Sequence, residues 1–214
     1  MVKSENIPAP AVRRLSLYLR QLETFRANDR RTVSSRQLGE ALGLSDAQVR
    51  KDLAYFGQFG HPGIGYRVAE LIPRFRRILG TDKKSNVLLV GVGNLGRALI
   101  SFRGFSKRGF EVAAVFDKDP AKIGRETAGL HKLRIRPLSE MPAVVRKHSI
   151  RVGILAVPAS AAQSVADEMT AAGIRGILNF APLTLQVAED IEVASVDLAV
   201  YLEQLSFQLG GTAP

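Results

Sequence analysis

The stretch Asn86-Val-Leu-Leu-Val90-Gly91-Val-Gly93-Asn-Leu-Gly96 decides the fold of the larger part of this chain. Four apolar residues in a row, closed by glycine, read as a short buried strand that runs straight into a Gly-x-Gly-x-x-Gly turn. Arg97-Ala-Leu-Ile-Ser-Phe102 continues as a helix. Each glycine has its own reason. Gly91 permits the tight reversal, Gly93 lets a pyrophosphate approach the backbone, and Gly96 lets the helix pack close to the strand. Unpaired N–H groups at the helix start favour an anion there. The glycine spacing alone is weak; with a strand before it and a helix after it, it reads as a dinucleotide-binding turn.

Downstream, a second strand, Glu111-Val-Ala-Ala-Val-Phe116, ends in Asp117-Lys118-Asp119-Pro120. Asp117 lies 21 residues beyond Gly96, where an acid at a strand end bonds the adenosine ribose hydroxyls. Such a carboxylate repels the 2′-phosphate of NADP and so favours NAD(H); Lys118 beside it softens the preference. Strand 151–157 precedes Pro158 and an alanine-rich helix, and strand 174–179 precedes Phe180-Ala181-Pro182. This alternation predicts a parallel sheet with helices on both faces. Pro158, Asn179, Phe180, Ala181 and Pro182 fall just past strand ends, on the ligand-binding edge of such sheets, and are expected to line the nicotinamide side. With Gly91, Val92, Gly93, Asn94, Leu95, Gly96, Asp117 and Lys118 they form the candidate cofactor set. From Val196 to Leu209, Leu198, Leu202, Leu205 and Leu209 make an apolar helix stripe. The pattern leaves open whether it closes its own domain or packs on a second subunit.

Upstream the character changes. From Ala11 to about Arg26, Val12, Leu15, Leu19 and Leu22 recur at helical spacing, with arginines at 13, 14, 20 and 26 off or beside the stripe. Thr32-Val33-Ser34-Ser35 breaks the helix. Ser34 with Gln37 has capping-box spacing and opens a short helix; Gly43 ends it, and Ser45 with Gln48 repeats the box before Arg50-Lys51. Two capped helices around a glycine turn predict a helix-turn-helix. In the second helix Val49, Leu53 and Phe56 face inward. Ala47, Lys51, Ala54 and Gln58 lie opposite, flanked by Gln48, Tyr55 and Arg50, an outer face suited to a major groove. Lys51 and Gln48 are the candidates for base edges and Arg50 for phosphate, with Ser35 and Arg36 at the start of the first short helix. Gly57-Gln-Phe-Gly60-His61-Pro-Gly63-Ile-Gly65-Tyr66-Arg67 reads as a small β-hairpin, a wing. His61, Gly63, Tyr66 and Arg67 are its candidate DNA contacts. A basic amphipathic helix over 69–80 buries Leu71, Ile72, Phe75 and Leu79.

These patterns divide the chain into a winged-helix DNA-binding domain over 1–80, a linker over 81–85, a Rossmann NAD(H)-binding domain over 86–195 and a C-terminal helix and tail over 196–214. Charge follows the division. Residues 1–85 hold sixteen Lys/Arg against eight Asp/Glu, a balance of +8 out of +10 for all 214 residues. That is the electrostatic footprint of a nucleic-acid binder. With 46% hydrophobic and 23% charged residues, the chain has material for a core. It has no cysteine, which rules out thiol-based redox sensing, disulfides and thiolate metal sites. The three histidines are scattered, so no metal is expected. No apolar run suits a membrane span, and Met1-Val-Lys-Ser-Glu lacks a signal-peptide core; a cytoplasmic location is expected.

Taken together, Tyr18-Leu-Arg20, Ser34-Ser35-x-Gln-Leu-Gly39, Gln48-Val-Arg-Lys-Asp-Leu53, Phe56-Gly-x-Phe-Gly60, Gly63-Ile-Gly-Tyr66, the glycine turn and Ile177-Leu-Asn-Phe-Ala-Pro182 resemble, in order and spacing, the Rex family of bacterial redox-sensing repressors. The resemblance implies a homodimer whose C-terminal helix swaps between subunits. It implies release from operator DNA by NADH, with NAD+ permitting binding. It also implies a switch pair, Arg20 and Asp197, forming an ion pair across subunits in one state. Some members carry a tyrosine in this switch near the nicotinamide; here Phe102 stands in its place and offers no hydroxyl.

The expected function is therefore a non-enzymatic, NADH-responsive repressor that binds palindromic double-stranded operator DNA as a dimer. Three alternatives stay open: an NAD-dependent dehydrogenase with an incidental basic domain, a regulator sensing another nucleotide such as coenzyme A or NADP, and a ligand-independent architectural protein. The dehydrogenase needs a proton donor near the nicotinamide, and no histidine, lysine or Ser/Tyr-Lys group stands near the strand ends. The architectural reading leaves the glycine turn without a purpose.

Overall fold

The computed structural model describes residues 7–60, 64–128 and 132–210, and the chain divides into two compact units, Met1–Lys83 and Lys84–Pro214. The first unit is helical. α1 (Ala9–Ala27) buries Ala11, Leu15, Tyr18, Leu19, Leu22 and Phe25. Val12 is exposed, so the buried stripe starts one residue earlier than its aliphatic pattern suggests and passes through Ala11 and Tyr18. The strand β1 (Thr32–Val33) follows, then α2 (Ser35–Glu40) and α3 (Asp46–Ala54). At α2 the full capping box forms: Ser34 Oγ accepts from the Gln37 amide, and Gln37 Oε1 accepts from the Ser34 amide. At α3 only half of the predicted box forms. Ser45 Oγ accepts from the Gln48 amide, but the Gln48 side chain donates to Asp52 instead.

Part of the predicted hairpin over 57–67 lies outside the described residues; among those described, β2 (Tyr66–Arg67) pairs antiparallel with β1, Thr32 opposite Arg67 and Val33 opposite Tyr66. The segment read only as a helix break thus supplies the partner strand. α4 (Val68–Ile78) closes the unit, burying Val68, Leu71, Ile72 and Phe75 against α1.

The second unit is a six-stranded, all-parallel sheet with β3 (Ser85–Val90), β4 (Phe110–Phe116), β5 (Ile135–Arg136), β6 (Val152–Leu155), β7 (Gly176–Asn179) and β8 (Glu192–Ser195). Their order is β5-β4-β3-β6-β7-β8, the doubly wound arrangement that reverses direction between β3 and β6. Side chains of β3 alternate. Leu88 and Val90 join Ala114 and Phe116 under α7 (Met141–His148) and α8 (Ala159–Ala171). Val87 and Leu89 join Val115 and Ile154 under α5 (Asn94–Ile100) and Phe105 of α6 (Arg103–Lys107). Both faces are therefore covered, which is why the strands read as unbroken apolar runs. β5 and β8 went unread in the sequence because one is two residues long and the other an exposed edge strand.

α9 (Leu198–Gly210) buries none of its described side chains. Its leucine stripe is exposed on the single chain. No helix among the described residues is long and apolar enough to cross a membrane.

Two contacts fix the glycine turn. Gly91 has φ +99°, a conformation that L side chains rarely adopt, and a Cβ there would strike the Ala156 carbonyl. A Cβ on Gly96 would strike the Gly91 carbonyl oxygen, closing the turn from inside. Gly96→Ala is expected to lower the stability of this unit by about 1–3 kcal/mol, as overpacking against backbone does. The fall should be read as a lower urea midpoint; an unchanged midpoint would mean the turn opens freely.

Candidate functional site

At the carboxyl edge of the sheet the chain leaves β3, β4, β6 and β7 in succession, and each exit is pinned to its neighbour. The Gly91 amide donates to Phe116 O, the Ala156 amide to Val90 O and the Phe180 amide to Leu155 O, each at 2.9 Å. In a doubly wound sheet this is where a ligand crevice is expected, because the chain from β3 turns one way and that from β6 the other. Asp117 organises it. Its carboxylate is 6% exposed, and Oδ2 accepts from the Val92 amide at 2.8 Å and from Lys122 Nζ at 3.0 Å. Oδ1 accepts from the Asp119 amide at 2.9 Å. Burial pushes the carboxyl up, but the Asp119 and Val92 amides and the Lys122 ammonium outweigh it and hold it below its ordinary value. It is a fixed negative charge.

The turn residues divide by placement. Gly91, Val92 and Gly96 are buried, and the Val92 amide is already spent on Asp117. Gly93, Asn94 and Leu95 form the accessible rim, and a Cβ on Gly93 would meet nothing within 4 Å. That open space is what a pyrophosphate lying on the backbone requires. Lys118 is exposed, while Lys122, five residues past Asp117, forms the ion pair that sequence reading overlooked. An Asp-x-x-Pro-x-Lys stretch after a strand was the only available sign.

Across the switch point, Pro158 is exposed at the start of α8. Asn179 is fully buried, and its amide closes on its own loop: Nδ2 donates to Ala181 O and Leu183 O, and Oδ1 accepts from the Ala181 amide. It shapes the wall made by Phe180, Ala181 and Pro182 rather than offering a polar group to a ligand. Ala181 is buried; Phe180 is partly exposed and Pro182 exposed.

In the first unit, Ala47, Lys51 and Ala54 lie exposed along α3, with Val49 and Leu53 beneath. Arg50 donates to Asp46 at 2.6 Å and to Ser35 Oγ at 3.3 Å, spanning from α3 to the start of α2. Tyr66 and Ser35 share with Arg50 a groove of about 590 Å³ between α3 and β2. Arg36 is exposed and paired with Glu40, Arg67 with Glu70, and Tyr55 packs on the core. His61 and Gly63 lie outside the described residues. Gln48, a candidate base reader, has its amide nitrogen bound to Asp52 Oδ1 at 2.8 Å.

That bond belongs to a network unseen in the sequence. Asp52 is fully buried on α3 and also accepts from Arg14 Nε at 2.5 Å, Arg14 Nη2 at 2.8 Å and the Tyr18 hydroxyl at 2.7 Å. Burial pushes its carboxyl up, but the bonds from Arg14, Tyr18 and Gln48 outweigh that and hold it low. Burial and the Asp52 contact raise the Tyr18 phenol. Among the described residues, no cluster of His, Asp or Glu could hold a metal ion.

Comparison with known proteins covers both units. The family model described as "CoA binding domain" matches residues 82–183, and "Putative DNA-binding protein N-terminus" matches residues 6–54. The redox-sensing transcriptional repressor Rex of Desulforamulus reducens is 48% identical, over 97% of this chain and 98% of that protein. The Rex of Pelotomaculum thermopropionicum is 47% identical over 97% and 96%. The chain belongs to the Rex family of redox-sensing transcriptional repressors. RSP, a Rex-family repressor, has a solved structure in complex with NAD+ and operator DNA that matches with a TM-score of 0.90 at 36% identity, over 96% of this chain and 93% of that one. Its complex with NADH matches with a TM-score of 0.85 at 34% identity, over 97% and 96%.

Of the three switch candidates that the Rex resemblance named, Arg20 is exposed on α1 and Asp197 sits at the start of α9, where Oδ1 accepts from the Ala199 amide at 2.9 Å. Phe102 is 56% exposed just before α6, edge-on to Phe105 at 5.1 Å. It lines a cavity of about 360 Å³ with Asn86, Phe110 and Glu111, at the strand starts, across the sheet from the glycine turn.

Because Asp52 is held below the ordinary 3.8, its charge stabilises the folded state fully above the normal carboxyl range, and that stability is lost as acid protonates it. Wild type should exceed Asp52→Asn in stability at neutral pH, and the gap should shrink between about pH 5 and pH 3. Urea unfolding at stepped pH measures it; a constant gap would mean that the charge contributes nothing.

Proposed function

We propose that this chain represses transcription by binding palindromic operator DNA as a dimer, and that NADH in the crevice at Gly93 releases it. The observation that carries this reading is the pairing of an open glycine rim, backed by a fixed anionic Asp117, with a helix-turn-helix whose outer face is small and cationic. The pyrophosphate lies along Gly93, Asn94 and Leu95, and the adenosine ribose hydroxyls reach Asp117. Its charge disfavours a phosphorylated ribose, and so disfavours both NADP and coenzyme A, whose ribose carries a 3′-phosphate. Pro158 and the wall held by Asn179 flank the nicotinamide. Lys51 and Ala47 face base edges, while Arg50, Ser35, Arg36, Tyr66 and Arg67, with His61 and Gly63, follow the phosphates. The ligand is sensed and not consumed; the chain is a regulator, not an enzyme, and works in the cytoplasm where its DNA is.

The dimer follows from α9. Leu198, Tyr201, Leu202, Leu205, Phe207 and Leu209 are all at least half exposed on it. Covering such a stripe would contribute on the order of 10 kcal/mol before association costs. A second copy receiving this helix buries the stripe and brings two recognition helices to successive turns of the duplex, roughly 34 Å apart. Arg20 and Asp197 are the switch pair in this assembly. Switching that is almost complete demands about a 10⁴-fold difference in NADH affinity between the two arrangements.

Two measurements test the reading. In fluorescence anisotropy on a palindromic operator at fixed salt, NADH should weaken binding at least about tenfold more than NAD+. Equal effects of both nucleotides, or release by coenzyme A instead, would overturn it. Gly93→Ala should leave the melting temperature within about 2 °C of wild type, since the new methyl meets only open space, yet abolish most NADH binding by occupying the pyrophosphate's place. Unimpaired NADH binding in that variant would put the nucleotide elsewhere.

A further inference from the structure

Asp52 is the one fully buried charged residue of the N-terminal unit among the described residues, and it stands in the DNA-reading helix itself, beside Lys51. Apart from Gln48, the partners given above are both on α1, at Arg14 and, one turn on, Tyr18. Stability alone does not account for such a group, because well-packed apolar residues of similar volume hold two helices together as well or better. An Arg fork on a carboxylate supplies something apolar contact does not: a planar, directional joint with one preferred angle. Tyr18 fixes a second point along α1, so rotation of α3 about the joint breaks a bond at one end or the other.

We propose that Asp52 is a positioning residue for operator reading. It locks the angle between α1 and α3, and it draws Gln48 inward, so that base discrimination rests on Lys51 and its exposed neighbours. The joint also makes α1 a lever, a part of the proposal that rests on the NADH-responsive reading above. Glu23 of α1 accepts from Arg76 of α4 at 2.8 Å, so α1 is tied by ion pairs to both α3 and α4. Arg20 is exposed on that same helix, two residues beyond Tyr18. A pull on Arg20 therefore turns the reading helix as part of one body.

The test compares wild type with Asp52→Asn, Tyr18→Phe, Gln48→Ala and Lys51→Ala on an operator and a scrambled duplex across a salt series. Asp52→Asn should lose about tenfold in operator affinity, the range for a hydrogen bond to a charged partner. Scrambled-duplex affinity should stay within about twofold with an unchanged salt slope, because the phosphate contacts are intact. Tyr18→Phe, which keeps the packing, should show the same loss of preference in milder form, and Gln48→Ala less loss than Lys51→Ala. Parallel loss on both duplexes would reduce Asp52 to general support. A Gln48→Ala effect equal to that of Lys51→Ala would make Gln48 a base reader. Either result overturns the proposal.

A second readout needs no DNA. The chain has no cysteine, so Arg13→Cys with Ala54→Cys gives a clean spin-label pair between α1 and α3. Asp52→Asn should broaden its distance distribution; an unchanged distribution overturns the joint even if wild type proved to have no operator preference. Absence of that preference in wild type, with broadening present, would instead fault the functional reading and leave the joint standing.

Discussion

A carboxylate carried out of water must find donors there, and both working surfaces of this chain are organised around one that does. Asp117 and Asp52 are buried, and each gathers three or more donated hydrogen bonds from separate segments. Left unpaired, either would cost several kcal/mol; satisfied, each converts that penalty into geometry. Asp117 takes the Val92 amide and so holds the glycine turn open at Gly93 rather than collapsed on β4. Asp52 takes the Arg14 fork and so holds α3 at one angle to α1. In both units the surface presented to a ligand is exposed and simple. The precision comes from the charge one layer beneath it.

This layering explains what was legible in the sequence. Local rules found the local features. Ser34 and Gln37 cap α2 because the partners are three residues apart, and Gly91 and Gly96 announce a turn whose close contacts are made within a few residues or with the adjacent strand exit. Readings failed where the partner was distant. β1 pairs with β2 across more than thirty residues, and nothing in Thr32-Val33 distinguishes a strand from a break. Gln48 leaves its capping role because Asp52 competes for its amide, and Asp52 is there because Arg14 and Tyr18 approach from another helix. In a helical pattern Asp52 looks like one more polar residue. Lys122 was passed over in favour of Lys118 because adjacency in sequence says little about which ammonium reaches a buried acid.

Buried carboxylates also bear on discrimination. The oxidised and reduced nicotinamide differ by one positive charge and in ring shape, and a protein feels that difference only where its own charges are fixed and poorly screened. An exposed, mobile acid would follow the ligand and cancel part of the contrast. In the proposed pose Asp117 would address the adenosine end of the nucleotide, where it would secure binding of either redox form and select neither. The contrast must be read at the other end, beyond Pro158 and the Asn179 loop, where the chain's own polar side chain is already committed to its loop. In the proposed pose a single chain would offer the nicotinamide mostly apolar and backbone surroundings on this side.

That division of labour gives the dimer a physical purpose. If one chain holds the nucleotide by its pyrophosphate and ribose but supplies little polar contact to the nicotinamide, the groups that distinguish NADH from NAD+ come from elsewhere in the assembly. The exposed α9, with Asp197 at its start, is the element best suited to carry them between copies. Phe102 then matters for what it lacks. Without a hydroxyl it cannot donate a hydrogen bond to Asp197, so in the proposed switch an ion pair with Arg20 would be the polar link left to that carboxylate among the switch candidates. A switch resting on one charged pair is screened by salt more readily than one braced by an additional hydrogen bond. Under the proposed switch, ligand state and ionic strength would act on the same joint, and both would reach α3 through the rigid body that Asp52 is proposed to make of it with α1.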